Sequence, residues 1–205
     1  VVLKDAQDRT ALHLPRVSAA LSARSLLSLK LRFGQLLIDG AQLEIRRDAN
    51  GRLIIAGLAF GSGADTGDNE AADWFFEQHE FVVRHGSLRW IDEQRGAPPL
   101  ELRDVQFVAR NGLRSHQLRL DATPPAEWGE RFSLRGRFTE SLLGGAGDWR
   151  RWSGVAYAEL PRVDASRLRQ HLNLPFALNE GEGALRAWVD LREGGGSAAT
   201  VDLAL

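Results

Sequence analysis

The chain has 205 residues and a formal net charge of −1, so it lacks the strongly basic face of a nucleic-acid binder. It has no cysteine, which excludes disulfide frameworks, thiolate metal sites and cysteine nucleophiles. Hydrophobic residues make up 43% and charged residues 26%, enough for a core beneath an ordinary soluble surface.

There is no methionine, not even at residue 1, so the chain reads as a fragment or a processed product. Nearly all basic residues are arginine, with Lys4 and Lys30 the two lysines, a bias read as genomic. The longest mostly apolar stretch, Leu53 to Phe60, is broken by Gly57 and far short of the roughly 20 residues a spanning helix needs. No cleavable signal pattern opens the chain, so any membrane anchor is expected outside it.

In chain order, Ser22–Leu29 suggests a helical turn between strands. From residue 41 onward the dominant period is two. Leu43 and Ile45 alternate with Gln42, Glu44 and Arg46, and Asn50-Gly51 then signals a hairpin into Leu53-Ile54-Ile55. A Gly/Asp-rich loop at 61–70 precedes a helix over Ala71–His79, with Asp68 or Asn69 as N-cap. Leu88 and Trp90 alternate with Ser87 and Arg89, and Gly96, Pro98 and Pro99 separate this run from 100–109. There the phase slips from Leu100 and Leu102 to Val105, Phe107 and Ala109, which predicts a bulge at Arg103-Asp104.

Asn111-Gly112 turns the chain into Leu118 and Leu120, which alternate with Arg119 and Asp121. Phe132, Leu134 and Phe138 alternate with Ser133, Arg135 and Arg137. A helix over Asp164–Leu172 is expected, capped by Asp164. Leu185, Ala187, Val189 and Leu191 alternate with Arg186, Trp188, Asp190 and Arg192, and the glycines from Gly194 lead to a last strand at 200–205. The fold class is mainly β with two or three short helices, each strand carrying one apolar and one wet face.

The segment from Leu37 through Gly40 to Asp48 lines up with Val83 through Gly86 to Asp92, and a weaker copy follows Gly183. Each copy is an apolar strand, a glycine, then an alternating strand. Such repetition favours an elongated sheet over a closed barrel. The sub-units expected are a first β repeat at 1–60, a loop and short helix at 61–80, and a second β repeat region at 81–205.

Several segments together carry a resemblance. They are His13-Leu-Pro-Arg-Val17, Ser25–Leu29, Leu36–Leu53, Asp73-Trp-Phe-Phe76, Val82–Asp92, Gly96–Val105, Ala158–Pro161 and Gly183–Trp188. In this order and spacing they resemble the AsmA-like superfamily, and above all its YhdP-type members, near relatives of TamB. The resemblance implies an inner-membrane protein of a two-membrane bacterium, with one N-terminal transmembrane helix and a long periplasmic part. This chain would be a single segment, 1–205, just after an anchor it does not contain. The implied periplasmic part is an antiparallel sheet curled into a U-shaped groove that carries phospholipid or another envelope lipid between membranes without enzymatic chemistry.

Groove residues expected from the alternation are Leu43, Ile45, Val83, Leu88, Trp90, Phe107, Leu118, Leu120, Phe132, Leu134, Leu185 and Val189. The alternation alone favours an ordinary β-sandwich core, and the resemblance turns the reading toward a groove. The expected partners are phospholipid acyl chains, the inner membrane through an absent anchor, and envelope proteins. No cofactor or nucleic acid is expected. The alternative function is an envelope scaffold acting through protein partners at open sheet edges.

No other chemistry is indicated. His13, His79, His85, His116 and His171 form no HxH or HExxH pair and read as surface or cap histidines. The loop Asp65–Glu70 lacks calcium-loop spacing. Gly144–Gly147 lacks the Lys-Ser/Thr of a phosphate loop, and no G-x-S-x-G elbow occurs. Trp74, Trp90, Trp149, Trp152 and Trp188 are candidates to shape a lipid path or simply to pack, and Arg150-Arg151 suits a surface patch.

Overall fold

The computed structural model describes residues 2–4, 10–21, 33–56, 58–60, 66–141, 145–171 and 181–204. The first part of the chain forms β1 (Val2–Lys4), β2 (Thr10–His13), β3 (Arg16–Leu21), β4 (Phe33–Asp39), β5 (Gln42–Arg47), β6 (Leu53–Ile55) and β7 (Leu58–Phe60). Helix α1 (Thr66–Glu77) leads into β8 (Glu80–Asp92), β9 (Ala97–Asn111), β10 (Ser115–Thr123), β11 (Phe132–Thr139) and β12 (Ser153–Asp164). Helix α2 (Ala165–His171) precedes β13 (Glu182–Arg192) and β14 (Gly195–Ala204).

The fourteen strands among the described residues belong to one sheet, open and curled. The mainly β, curled-sheet expectation holds. Pairing is antiparallel except that β4 and β5 both run parallel to β8. These two strands act as one strand broken at Gly40-Ala41, because the offset to β8 stays constant from Asp39↔Arg84 to Gln42↔Ser87. The two repeat copies seen in the sequence therefore lie side by side, with Leu43 next to Leu88. Gly40 supplies the break with φ of 74°, a conformation that suits glycine.

The phase slip in β9 is a bulge. Gly86↔Val105 is followed by Leu88↔Leu102, so β9 spends one extra residue at Arg103-Asp104, where Asp104 has φ of 47°. A second bulge in β8, at Arg84-His85, takes up one extra residue in the opposite sense, and His85 has φ of 49°. The bulges restore the phase. Phe81, Val83, Leu88 and Trp90 stay on the same face as Leu100, Leu102, Val105, Phe107 and Ala109.

Turns fall close to the expected places, with small corrections. Asp48 closes the Asn50-Gly51 turn, its Oδ1 accepting from the Asn50 and Arg52 amides at 2.9 and 2.8 Å. Pro98 and Pro99 lie inside β9 rather than in a loop. The irregular pairing between Trp90 and Asp92 of β8 leaves room for residues that cannot donate to the ladder. The last hairpin turns at Glu193-Gly194, and Gly195 and Gly196 already belong to β14.

Helix α1 starts at Thr66, five residues earlier than expected, so Asp68 and Asn69 lie within it instead of capping it. This also makes the acidic stretch 66–70 helical rather than loop. In α2 the expected cap is present: Asp164 Oδ1 accepts from the Ser166 and Arg167 amides at 2.8 and 3.2 Å. The helical turn expected at Ser22–Leu29 lies outside the described residues. With two short α-helices and one large sheet among the described residues, far-ultraviolet circular dichroism is expected to show a β spectrum. A helical content above about one third would contradict this fold.

Candidate functional site: the apolar face of the sheet

Cross-strand partners share a face, so the register defines which side chains line up. One row runs Val83, Phe107, Leu120, Leu134, Ala158, Ala187, Val201 from β8 to β14. The next runs Phe81, Ala109, Leu118, Gly136, Ala156, Val189, Ala199. Neither contains a polar side chain. At about 4.8 Å per strand, the six steps give a run of about 29 Å across the strands. Toward the N-terminal strands the rows continue through Ile38 and Leu36 of β4.

A parallel set of rows lies toward the C-terminal end of β8. Leu12, Leu43, Leu88 and Leu102 line up, as do Ile55, Ile45, Trp90 and Leu100. Phe132 faces Ala122, and Leu185 lies between Leu160 and Leu203. All twelve groove candidates thus sit on one face.

They do not share one environment. Leu102, Val105 and Ala122 form a buried cluster against which Leu88, Leu100, Leu120 and Phe132 pack. Leu134 and Leu203 stay more than a third exposed. Between these zones lies an open cavity of about 310 Å³ lined by Phe107, Leu118, Leu120, Leu134, Phe138 and Val189 with the small residues of β11–β13. Gly136, Ala156, Ala158 and Ala187 make its floor low, so the larger side chains around them stand as walls. Its volume lies at the lower end of the range for small-molecule sites, roughly 300–1,000 Å³.

The helices border this face at opposite ends of the strands. From α1, Phe75 meets Phe81 at 4.9 Å and Phe107 at 6.4 Å, and Phe76 meets Trp152 at 4.6 Å. Asp73 Oδ1 accepts from the Gly147 amide at 2.6 Å, tying the turn at 145–148 to α1. At the other end His171 of α2 lies against Trp128 at 4.9 Å.

The reverse face is charged and wet. Arg119 pairs with Asp121 at 2.7 Å, Arg110 with Glu80 at 2.8 Å and Arg186 with Glu159 at 3.6 Å. Burial pushes the Asp121 carboxyl up, but hydrogen bonds from Arg119 and Ser133 outweigh it and hold the group below the usual carboxylate range. Trp188 stands on this face beside Tyr157, at 5.1 Å, away from the apolar rows.

Two polar clusters escaped the sequence reading. At the α1 end, His116 is buried under Trp152, stacked at 4.1 Å, and its Nδ1 is 2.9 Å from Asn111 Oδ1. Asn111 Nδ2 donates to the Gln78 carbonyl at 2.8 Å, and Gln78 Oε1 accepts from the Phe33 amide at 2.8 Å. Burial pushes the His116 imidazole below its ordinary value against the pull of Glu140. At the α2 end, Asp92 is fully buried and held by Arg47. The expectation that all histidines are surface or cap residues is therefore corrected: His116 and His171 are buried, because α1 and α2 fold onto the sheet ends. His79 and His85 are exposed as expected.

Among the described residues no group of three or more acidic or histidine side chains is placed to hold a metal ion. None of their helices is long and apolar enough to cross a membrane.

A single open, curled sheet with apolar rows across one face and a charged reverse face defines the class of this protein. The chain matches the family model described as YhdP protein over residues 1–205, and it belongs to that family. The family is envelope-associated, related in general to lipid transport, and is not a known enzyme family. Searches of curated proteins and of solved structures returned no match.

Proposed function

We propose that the chain is a non-enzymatic segment of a lipid conduit, and that acyl chains of phospholipid or another envelope lipid lie on its apolar face. The carrying observation is the pair of unbroken apolar rows from β8 to β14, with all described strands in one sheet and Leu134 and Leu203 left partly open. A two-chain lipid exposes roughly 30 methylenes, at about 0.8 kcal/mol each in water. That is on the order of 24 kcal/mol, which forbids unaided crossing of an aqueous space and which a continuous apolar surface largely removes. No group transfer is needed.

On this reading the rows run along the hydrogen-bonding direction, so a chain slides from strand to strand, across the strand axes. On the same reading the segment lies on the periplasmic side of an inner-membrane-anchored protein, which the envelope association of the YhdP family supports. Native mass spectrometry of the full-length protein, released from membranes in mild detergent, is expected to show diacyl lipid adducts. Spectra with no lipid adduct from native membranes would count against the conduit.

One observation favours a second reading. β14 is a ten-residue strand that pairs, among the described residues, with β13, and a strand edge of this length suits an added strand. An envelope protein adding a strand there would make the segment a scaffold. Strand addition and lipid binding use different surfaces, so loss of one without the other separates them.

A further inference from the structure

The apolar rows stop, at the α2 end of the sheet, on a charged cluster. Asp92 closes β8 with its side chain fully buried. Arg47 clamps it through two nitrogens, one at 2.9 Å, and Arg95 Nε lies 3.8 Å away while the Arg95 amide donates to Asp92 Oδ1 at 3.2 Å. Two guanidinium groups on one carboxylate leave a net charge of about +1. Arg47 and Arg95 keep 23% and 25% of their side-chain surface exposed, so both remain reachable.

His171 of α2 lies at this end of the sheet, against Trp128. It is buried, it feels the charges of Asp92, Arg95 and Arg47, and neither of its ring nitrogens has a hydrogen-bond partner. Native structures rarely leave such groups unpaired, and an unmet imidazole N–H within reach of surplus positive charge points to an absent anion. The row Ile55, Ile45, Trp90, Leu100 lies one step along the strands, and the Arg47 guanidinium stands 5.9 Å from the Trp90 ring centroid. A charged site thus adjoins an apolar one within the reach of one amphiphile.

We propose that Arg95, His171 and Arg47 form a phosphate-binding site at the end of the apolar face, with Arg95 and His171 donating hydrogen bonds and Arg47 supplying charge. A tetrahedral anion accepts from several directions and suits donors drawn from a strand end, a turn and a helix. The proposal rests on the conduit reading for its apolar half: the phosphate is a lipid headgroup whose chains lie on the Ile45–Trp90–Leu100 row. A free phosphate ion would use the same donors, and the two sources are separable.

The test is calorimetric titration of the full-length protein with dihexanoyl phosphatidic acid, with dihexanoylglycerol that lacks the phosphate, and with inorganic phosphate. The phosphate-bearing lipid is expected to bind about tenfold or more tighter than the diacylglycerol, the loss expected for charge-assisted hydrogen bonds. Arg95→Gln and His171→Leu are each expected to bring the two lipids within about twofold, His171→Gln to retain most of the preference, and diacylglycerol binding to stay unchanged. The two substitutions lie on different elements, so a folding defect in one leaves the other decisive. A preference that survives in both variants overturns the site and leaves the conduit untouched. If neither lipid binds the wild type, the conduit reading fails. Inorganic phosphate then decides: binding lost in Arg95→Gln supports a site for the free ion, and no binding overturns the site as well.

Discussion

Leu134→Asp is expected to abolish lipid binding while lowering the melting temperature by no more than about 4 °C, the shift of roughly 1–2 kcal/mol for a chain of this size. Leu134 sits in the middle of the long apolar row, between Leu120 and Ala158, and is 37% exposed. A carboxylate there reaches water, so its desolvation cost is small. It nevertheless places a charge against any acyl chain in the cavity it lines. Leu102→Asp is the matching control. Leu102 is 6% exposed at the centre of the buried cluster, where an unpaired charge costs several kcal/mol, comparable with a domain's total stability of about 5–15 kcal/mol. Leu102→Asp is expected to unfold the protein. Thermal melts and lipid adduct intensities of the two variants check the contrast. Equal loss of stability in both would mean that Leu134 belongs to a dry core.

The second large effect concerns the charged cluster. Arg47→Met leaves Asp92 buried with only the more distant Arg95 to compensate it. Breaking a buried pair from one side costs about 3–5 kcal/mol, on the order of 10 °C in melting temperature here. The pH dependence follows from Asp92. Burial pushes its carboxyl up, but Arg47 and Arg95 together outweigh this and hold it below the usual carboxylate range. Its contribution is therefore complete above about pH 4, the ordinary aspartate value, and is lost as pH falls through the lower folded value. The gap between wild type and Arg47→Met is expected to be full at pH 7 and to shrink below about pH 4. Arg162→Met is the control, because its partners Glu130 and Glu182 are mostly exposed, and it is expected to change stability far less than Arg47→Met at any pH. Urea melts across this pH range measure both.

The strands were legible because each half-buried strand writes its two faces into the sequence with period two. Even the bulge at Arg103-Asp104 was visible, as a slip in that period. Its partner at Arg84-His85 was not, because a single break before Gly86 looks like a gap between repeat copies. The parallel pairing of β4 and β5 with β8 was also hidden. Alternation shows which face a residue takes, and says nothing of the neighbouring strand's direction.

The site was half legible. Faces follow from phase, so all twelve groove candidates are on one side of the sheet. Their burial does not follow, since it depends on how the sheet curls. Leu88 and Phe132 pack into the cluster around Leu102, whereas Leu134 stays open. The cluster of Arg47, Asp92 and Arg95 joins residues up to 48 positions apart by number, and no local pattern carries it. One signal was available: Asp92 and Asp48 both end the repeated strand unit, but only Asp92 follows in phase with Leu88 and Trp90 on the apolar face.

Site-specific photo-crosslinking in the native envelope tests the central claim most directly. A benzoylphenylalanine placed in turn at 117, 118, 119, 120, 133, 134 and 135 of the full-length protein samples both faces of β10 and β11. The apolar-face account predicts lipid crosslinks at 118, 120 and 134 and none at 117, 119, 133 and 135, an alternation with the strand's own period. Lipid crosslinks of equal strength at odd and even positions, or none at 118, 120 and 134, would contradict it.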